Sequence, residues 1–280
     1  MKDEKLCTVH HKIRTVTSMI SLTSFLFVVL LAAVENAIIP TDGMDNRILR
    51  GENASITEFP SMVFLKIGLR RKGVYSLCGG TIISERWILT AAHCVHNAIA
   101  SNITMRVGSE NKLHGGSVRR ASRIIEHEEY SFKEDGGKRK KVRNDIALVE
   151  AEEPFPLNNL TIKTARLAVR NEDTAPGTIV TVAGWGVIEG NYGTKILQKA
   201  ELEIIRSQRC GKHDRTKLCA VDSRKEKGIC SGDSGGPVFK KGVLVGVTST
   251  GQGNCNLKGS VSTSASVAYF RDWIYQNSGI

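Results

Sequence analysis

The chain has 280 residues, 41% hydrophobic and 24% charged, with a formal net charge of +11. This length and composition exclude a mostly disordered polymer and suffice for a full core without metal ions. Residues 1 to 47 carry five basic and five acidic side chains, so the whole excess lies beyond them; it would draw polyanions or acidic partners at low salt, or serve solubility alone.

The first element is an apolar run over residues 19 to 34, MISLTSFLFVVLLAAV, preceded by Lys2, Lys5, Lys12 and Arg14 and followed by small residues. That order of basic, apolar and small segments predicts a secretory signal ending near residue 37. The competing reading is a membrane anchor, which needs roughly 20 apolar residues. This run is shorter and interrupted by Ser21, Thr23 and Ser24. We therefore expect an extracellular product with no stable membrane association.

Beyond residue 48 come short strand-like runs broken by Gly, Asn and Ser. They include 61–67, 80–83, 87–90, 178–183, 200–205 and 243–248. Such spacing predicts an all-β sandwich or barrel. Val267, Phe270, Trp273 and Ile274 recur at helical intervals and predict one C-terminal helix. Six cysteines follow the leader: Cys78, Cys94, Cys210, Cys219, Cys230 and Cys255. An even number suits three disulfides in an oxidising compartment, with 15 possible pairings. No C-x-x-C pair exists for zinc. The segment Ser109–His114 lacks the paired carboxylates of a calcium loop, so no metal is expected. Asn53, Asn102 and Asn159 each open an N-x-S/T triplet that a glycosylation enzyme would accept.

Three separated segments carry chemistry: Leu89-Thr-Ala-Ala-His93-Cys94, Asn144-Asp145-Ile-Ala-Leu148, and Gly232-Asp233-Ser234-Gly-Gly-Pro237. Singly, each has a structural explanation as a turn, a cap or a buried histidine. Jointly they supply a hydroxyl nucleophile, a base that titrates near neutrality and a carboxylate to orient it. In this order and at these separations they resemble the signature segments of the trypsin/chymotrypsin-like serine proteases, over residues 48 to 280. The resemblance implies two six-stranded antiparallel β-barrels with a C-terminal helix. It implies His93, Asp145 and Ser234 as catalytic triad, and the N–H groups of Gly232 and Ser234 as oxyanion hole. Ser249 matches a position that hydrogen-bonds the buried aspartate. The implied disulfides are Cys78–Cys94, Cys210–Cys219 and Cys230–Cys255.

Arg47-Ile48-Leu49-Arg50-Gly51 resembles the family's activation site, with residues 38–47 as pro-segment. Cleavage by another protease after Arg47 would free the Ile48 amine to pair with Asp233. A buried carboxylate is costly without a cation, so the new ammonium would order the oxyanion loop. Arg50 stands where the family has glycine and offers a competing cut.

By the same resemblance the base of the primary pocket falls at Gly228, with Gly251 and Ser262 as walls. Trypsin-like members carry an aspartate at the base. A neutral base predicts chymotrypsin- or elastase-like preference. Thr250 replaces a groove tryptophan. The basic stretch 138–143 reads as a loop at the cleft rim, either an exosite for acidic proteins, inhibitors or polyanions or a solvated loop. The expected partners are protein or peptide substrates acting on a monomer, with no nucleic acid. Two functions remain open: an active endopeptidase, and a homologue that binds without catalysis.

Overall fold

The computed structural model describes residues 51–68, 74–135, 139–186, 193–206, 214–222, 228–251 and 261–280, with backbone only at 134–135 and 139–141. The leader, Arg47, Ile48, Arg50, Lys138, Cys210 and Cys255 lie outside them.

In chain order the strands are β1 (Glu52–Asn53), β2 (Met62–Gly68), β3 (Tyr75–Ile82), β4 (Trp87–Thr90), β5 (Ile103–Val107), β6 (Ser117–Glu126), β7 (Ser131–Asp135) and β8 (Arg139–Arg143). They continue as β9 (Ala147–Ala151), β10 (Arg166–Leu167), β11 (Ile179–Gly184), β12 (Gln198–Ile204), β13 (Lys217–Val221), β14 (Pro237–Lys240), β15 (Val243–Gly251) and β16 (Ser262–Ser266). Helix α1 (Ala92–Val95) is a single turn after β4, and α2 (Arg271–Ser278) lies near the C-terminus.

The first closed barrel runs β2-β3-β4-β9-β6-β5. The second runs β12-β11-β14-β15-β16-β13, closed by pairing of β12 with β13. The short β1 adds to β12. Period-two patterning drives both closures. In β5, Ile103, Met105 and Val107 are buried while Thr104 and Arg106 point away. In β12, Gln198, Ala200, Leu202 and Ile204 alternate inward against Lys199, Glu201 and Glu203. The expected architecture of two six-stranded barrels and a terminal helix is therefore found.

Two boundaries differ from the sequence reading. The stretch 138–143, expected as a loop, contains β8, which pairs with β7 in a separate two-stranded hairpin. Buried Val142 anchors it, opposite Phe132. The helix begins at Arg271, after the apolar residues Val267 and Phe270, which are buried in the turn leading into it. Trp273 and Ile274 carry the helix's buried face, each worth about 2–3 kcal/mol of apolar burial. The Trp273 indole N–H donates to Glu128 at 2.9 Å.

Among the described residues no helix is long and apolar enough to cross a membrane.

Candidate active site

The sequence brings His93 to the centre through β4 and α1. The Cys78–Cys94 disulfide ties that turn to β3, as expected from the resemblance. Asp145 follows Asn144, whose φ of 46° lies in the left-handed region that asparagine tolerates. The Asn144 amide donates to the Glu129 carbonyl at 3.1 Å and fixes the bend. The turn presents Asp145, 5% exposed, to His93.

The His93 main-chain N–H donates to Asp145 Oδ1 at 2.8 Å, and His93 Nδ1 bonds Asp145 Oδ2 at 2.7 Å. An ionised carboxylate only accepts, so Nδ1 carries the proton and Nε2 presents a lone pair. Ser249 adds a third donor, its hydroxyl to Asp145 Oδ2. A β-bulge explains its reach. The pairing of β15 with β16 slips between Thr248 and Thr250, and Ser249 is the extra residue, turned toward the aspartate. Burial pushes the Asp145 carboxyl up, but the hydrogen bonds and charge of His93, with the Ser249 hydroxyl, outweigh it and hold the carboxyl below its usual value.

Ser234 arrives from the second barrel. Its hydroxyl donates to the Ser249 carbonyl at 3.4 Å. Ser249 thus touches Asp145 through its side chain and Ser234 through its main chain, which brings all three expected triad residues into one network. The hydroxyl is parked on that carbonyl in this structure, and a rotation about its own side-chain bond would turn it elsewhere.

The loop around Ser234 is held by main-chain bonds. Gly79 N–H donates to the Ser234 carbonyl at 2.7 Å, Asp233 N–H to Cys230 at 3.0 Å, and Gly235 N–H to Thr248 at 2.7 Å. Among the described residues neither Gly232 N–H nor Ser234 N–H has an acceptor, although the N–H groups of Asp233 and Gly235 do. Gly232 has φ +98°, a conformation that side chains disfavour.

Asp233 is 3% exposed. Its Oδ1 accepts from Gly186 N–H at 2.8 Å and its Oδ2 from Cys230 N–H at 3.0 Å. Gly184 and Gly186 make room for it: a methyl on either would collide with the Asp233 carboxylate. Burial pushes this carboxyl up to about 6, against the opposing pull of the two N–H bonds and the Lys112 charge. The Gly184-Trp185-Gly186 segment and Lys112 are site residues that sequence reasoning missed. The G-W-G spacing was the available signal.

A raised native pKa favours the protonated protein. Asp233 therefore stabilises the fold fully below its unfolded pKa near 4, and that stability is lost as pH rises through about 6. For the uncleaved chain, urea unfolding should show a loss on the order of 3 kcal/mol across this window, at about 1.4 kcal/mol per pH unit. D233N should flatten it.

Two of the three expected pocket positions are direct neighbours. Gly251 pairs with Ser262 across β15 and β16, and a methyl on Gly251 would face the Ile229 carbonyl at 3.9 Å. A methyl on Gly228, one residue earlier, would meet nothing within 4 Å. Ser262 is buried. A cleft of about 440 Å³ beside His93 is lined by His96, Tyr130, Ser131 and Phe132. Burial, with the charges of Asp145 and Glu126, pushes the Tyr130 hydroxyl up to about 12.

The sulfurs of Cys78 and Cys94 lie close to the His93 ring, but they are joined to each other and offer no thiolate to a metal. Cys219 and Cys230 are also disulfide-bonded; their expected partners Cys210 and Cys255 lie outside the described residues. Asn102 and Asn159 are exposed on turns. Asn53 is exposed on β1, where its side-chain oxygen accepts from Gln198 at 2.8 Å.

Comparisons with known proteins agree with this geometry. The Trypsin family model matches residues 48–274. Trypsin delta of Drosophila erecta is 36% identical over 267 residues, covering 90% of this chain and 98% of that protein. Trypsin eta of Drosophila melanogaster is 33% identical over 239 residues, covering 82% and 88%. HL collagenase is similar in structure with TM-score 0.70 at 31% identity, covering 82% of this chain and 98% of that one. The scabies mite inactivated protease paralogue S-D1 gives TM-score 0.70 at 26% identity, covering 82% and 97%. The described fold, the network that links His93 and Asp145 to Ser234 through Ser249, and these matches lead to one assignment: the chain belongs to the trypsin family of serine peptidases.

Proposed function

We propose that this chain is an active serine endopeptidase that works through an acyl-enzyme. The observation that carries the reading is the single network joining Ser234, Ser249, Asp145 and His93. Rotation of the Ser234 hydroxyl off the Ser249 carbonyl would present it to His93 Nε2, the nitrogen left free by the Asp145 bond. His93 then takes the proton as Ser234 attacks the scissile carbonyl. The proton passes to the leaving amine, and a water repeats the sequence to release the acid. Asp145 stays ionised and stabilises the imidazolium. The N–H groups of Gly232 and Ser234, without an acceptor among the described residues, suit the oxyanion, and losing one such donor typically costs about 10²–10³ in rate.

The second reading is a homologue that binds without cleaving. Its supporting observation is the parked Ser234 hydroxyl, together with an inactivated paralogue among the structural relatives. A fluorophosphonate probe separates the two. The protein cleaved after Arg47 should be labelled on Ser234; an unlabelled, folded, cleaved protein would leave only the binding reading.

The biosynthetic reading is a secreted monomeric precursor. Its signal ends near residue 37, its pro-segment is 38–47, and another protease activates it by cutting after Arg47. The support is the apolar leader and the buried Asp233, a carboxylate whose ionised form gains from a new ammonium.

For specificity we infer a small or apolar side chain before the cleaved bond. Gly228 puts no charge at the pocket base, and buried Ser262 narrows one wall. On a peptide library, Ala, Val or Leu at that position should exceed Lys or Arg by at least about tenfold in kcat/KM. S262G should shift preference toward aromatic residues; strong cleavage after Lys or Arg in the wild type would refute the pocket assignment.

The β7–β8 hairpin belongs to the same proposal as an electrostatic rim. Its register sets Lys133 opposite Lys141 and Ser131 opposite Arg143. Residues 131–143 carry six basic and two acidic residues, and that excess favours acidic substrates, inhibitors or polyanions.

A further inference from the structure

Lys112 is half-buried, and the mechanism above does not use it. It sits between β5 and β6, in the segment Ser109–His114 that lacks the paired carboxylates of a calcium loop. Its main chain is fixed: Lys112 N–H donates to the Lys195 carbonyl at 3.0 Å, and the neighbouring Asn111 bridges Ile196. The Trp185 indole N–H donates to the Glu110 carbonyl at 2.7 Å and locks the same segment from the other side. The ammonium is thereby held 5.8 Å from the Phe64 ring and donates to the Trp185 carbonyl at 3.4 Å.

That carbonyl belongs to the same peptide group as Gly186 N–H, which donates to Asp233 Oδ1 at 2.8 Å. One peptide unit therefore has its negative end on a lysine ammonium and its positive end on the buried carboxylate. Both contacts polarise it in the same sense, so each strengthens the other. Among the described residues, Lys112 is the cation whose charge bears on Asp233. In the uncut chain Ile48 nitrogen is an amide and supplies no charge.

We propose that Lys112 is a positioning residue, an internal cation that acts through the Trp185–Gly186 peptide. It holds Asp233 in its loop-ordering orientation before cleavage after Arg47, so the uncleaved chain keeps measurable Ser234 reactivity. The inference rests on the reading of Asp233 as the switch carboxylate.

The test uses the full chain carrying R47Q and R50Q, which cannot be cut at either arginine, beside the mature form beginning at Ile48. The rate of fluorophosphonate labelling at Ser234 is measured for each. K112M should slow the uncleavable chain by about tenfold, because a partly buried charge is removed from the carboxylate's surroundings. K112R should stay within about threefold, since it keeps the charge. In the mature form K112M should cost less than about threefold, as the Ile48 ammonium takes over. Should K112M fold poorly, G193A is the second probe. Its methyl would lie 2.9 Å from the Lys112 ammonium and must displace it, so labelling of the uncleavable chain should again fall.

Three results would overturn the proposal: an unchanged rate with K112M, an equal fall with K112R, or no labelling at all of the uncleavable parent. Equal labelling of the uncleavable parent and the mature form would instead refute activation by cleavage, and the contrast between K112M and K112R would still read the role of Lys112.

Discussion

Replacing Ser234 with alanine is expected to lower kcat on peptide substrates by about 10⁵–10⁶-fold while leaving the melting temperature within about 2 °C. Activity should collapse because, on the proposed mechanism, that hydroxyl carries the acyl chain. Stability should hold because the loop does not lean on that hydroxyl. Among the described residues its one hydrogen bond is long, 3.4 Å, whereas the main chain on either side is fixed by bonds of 2.7 Å from Gly79 and Gly235. The pocket residues are untouched, so inhibitor affinity should persist. Active-site titration beside calorimetry checks both halves. Turnover that survived the substitution would remove Ser234 from the mechanism.

The second large effect is expected from D145N, about 10⁴-fold in kcat. Asp145 accepts three hydrogen bonds, from His93 N–H, His93 Nδ1–H and the Ser249 hydroxyl. An asparagine offers one oxygen and must aim its NH₂ at a former donor. If the amide faces His93, Nδ1 becomes the acceptor and Nε2 holds the proton, so the ring can no longer take one from Ser234. The pH dependence of stability should change too. A native carboxyl held below its usual pKa contributes stability that is present above its unfolded value near 4 and is lost as pH falls through the native one. D145N should lack that acid-side loss in urea unfolding, while the opposite-signed contribution of Asp233 remains. A variant keeping more than about a tenth of wild-type kcat would contradict the assigned tautomer.

The sequence made some of this legible and hid the rest. His93, Asp145 and Ser234 stood out because each lies in a short motif whose chemistry depends on residue type. Strands such as β4 and β15 were readable from apolar β-branched runs. By contrast β6, the longest strand at 10 residues, escaped notice. Its exposed arginines at 120 and 123 and half-buried Arg119 mask the inward positions, because one face meets solvent and a bulge between Ala121 and Arg123 breaks the alternation. Strand β8 looked like a loop for a similar reason: Val142 is its single apolar residue. The α2 helix was placed early since Val267 and Phe270 are buried at helical spacing without being helical. Lys112 could not be found by pattern at all. Its significance depends on a peptide 73 residues away that accepts its hydrogen bond, and no local periodicity encodes that. Nor could the orientation of the Ser234 hydroxyl be read, since it is a choice among rotamers.

The 2.7 Å bond from Gly79 to the Ser234 carbonyl joins a strand of one barrel to the proposed nucleophile of the other. A methyl at Gly79 would lie 2.8 Å from Gly236 Cα, so the two backbones meet with no side chain between them. On the proposed function, peptide hydrolysis becomes a gauge of how the halves are seated. Gentle heating or dilute denaturant that loosens this seam should silence the enzyme while each barrel still gives its strand signal in circular dichroism, and silenced molecules should recover on cooling without refolding from scratch.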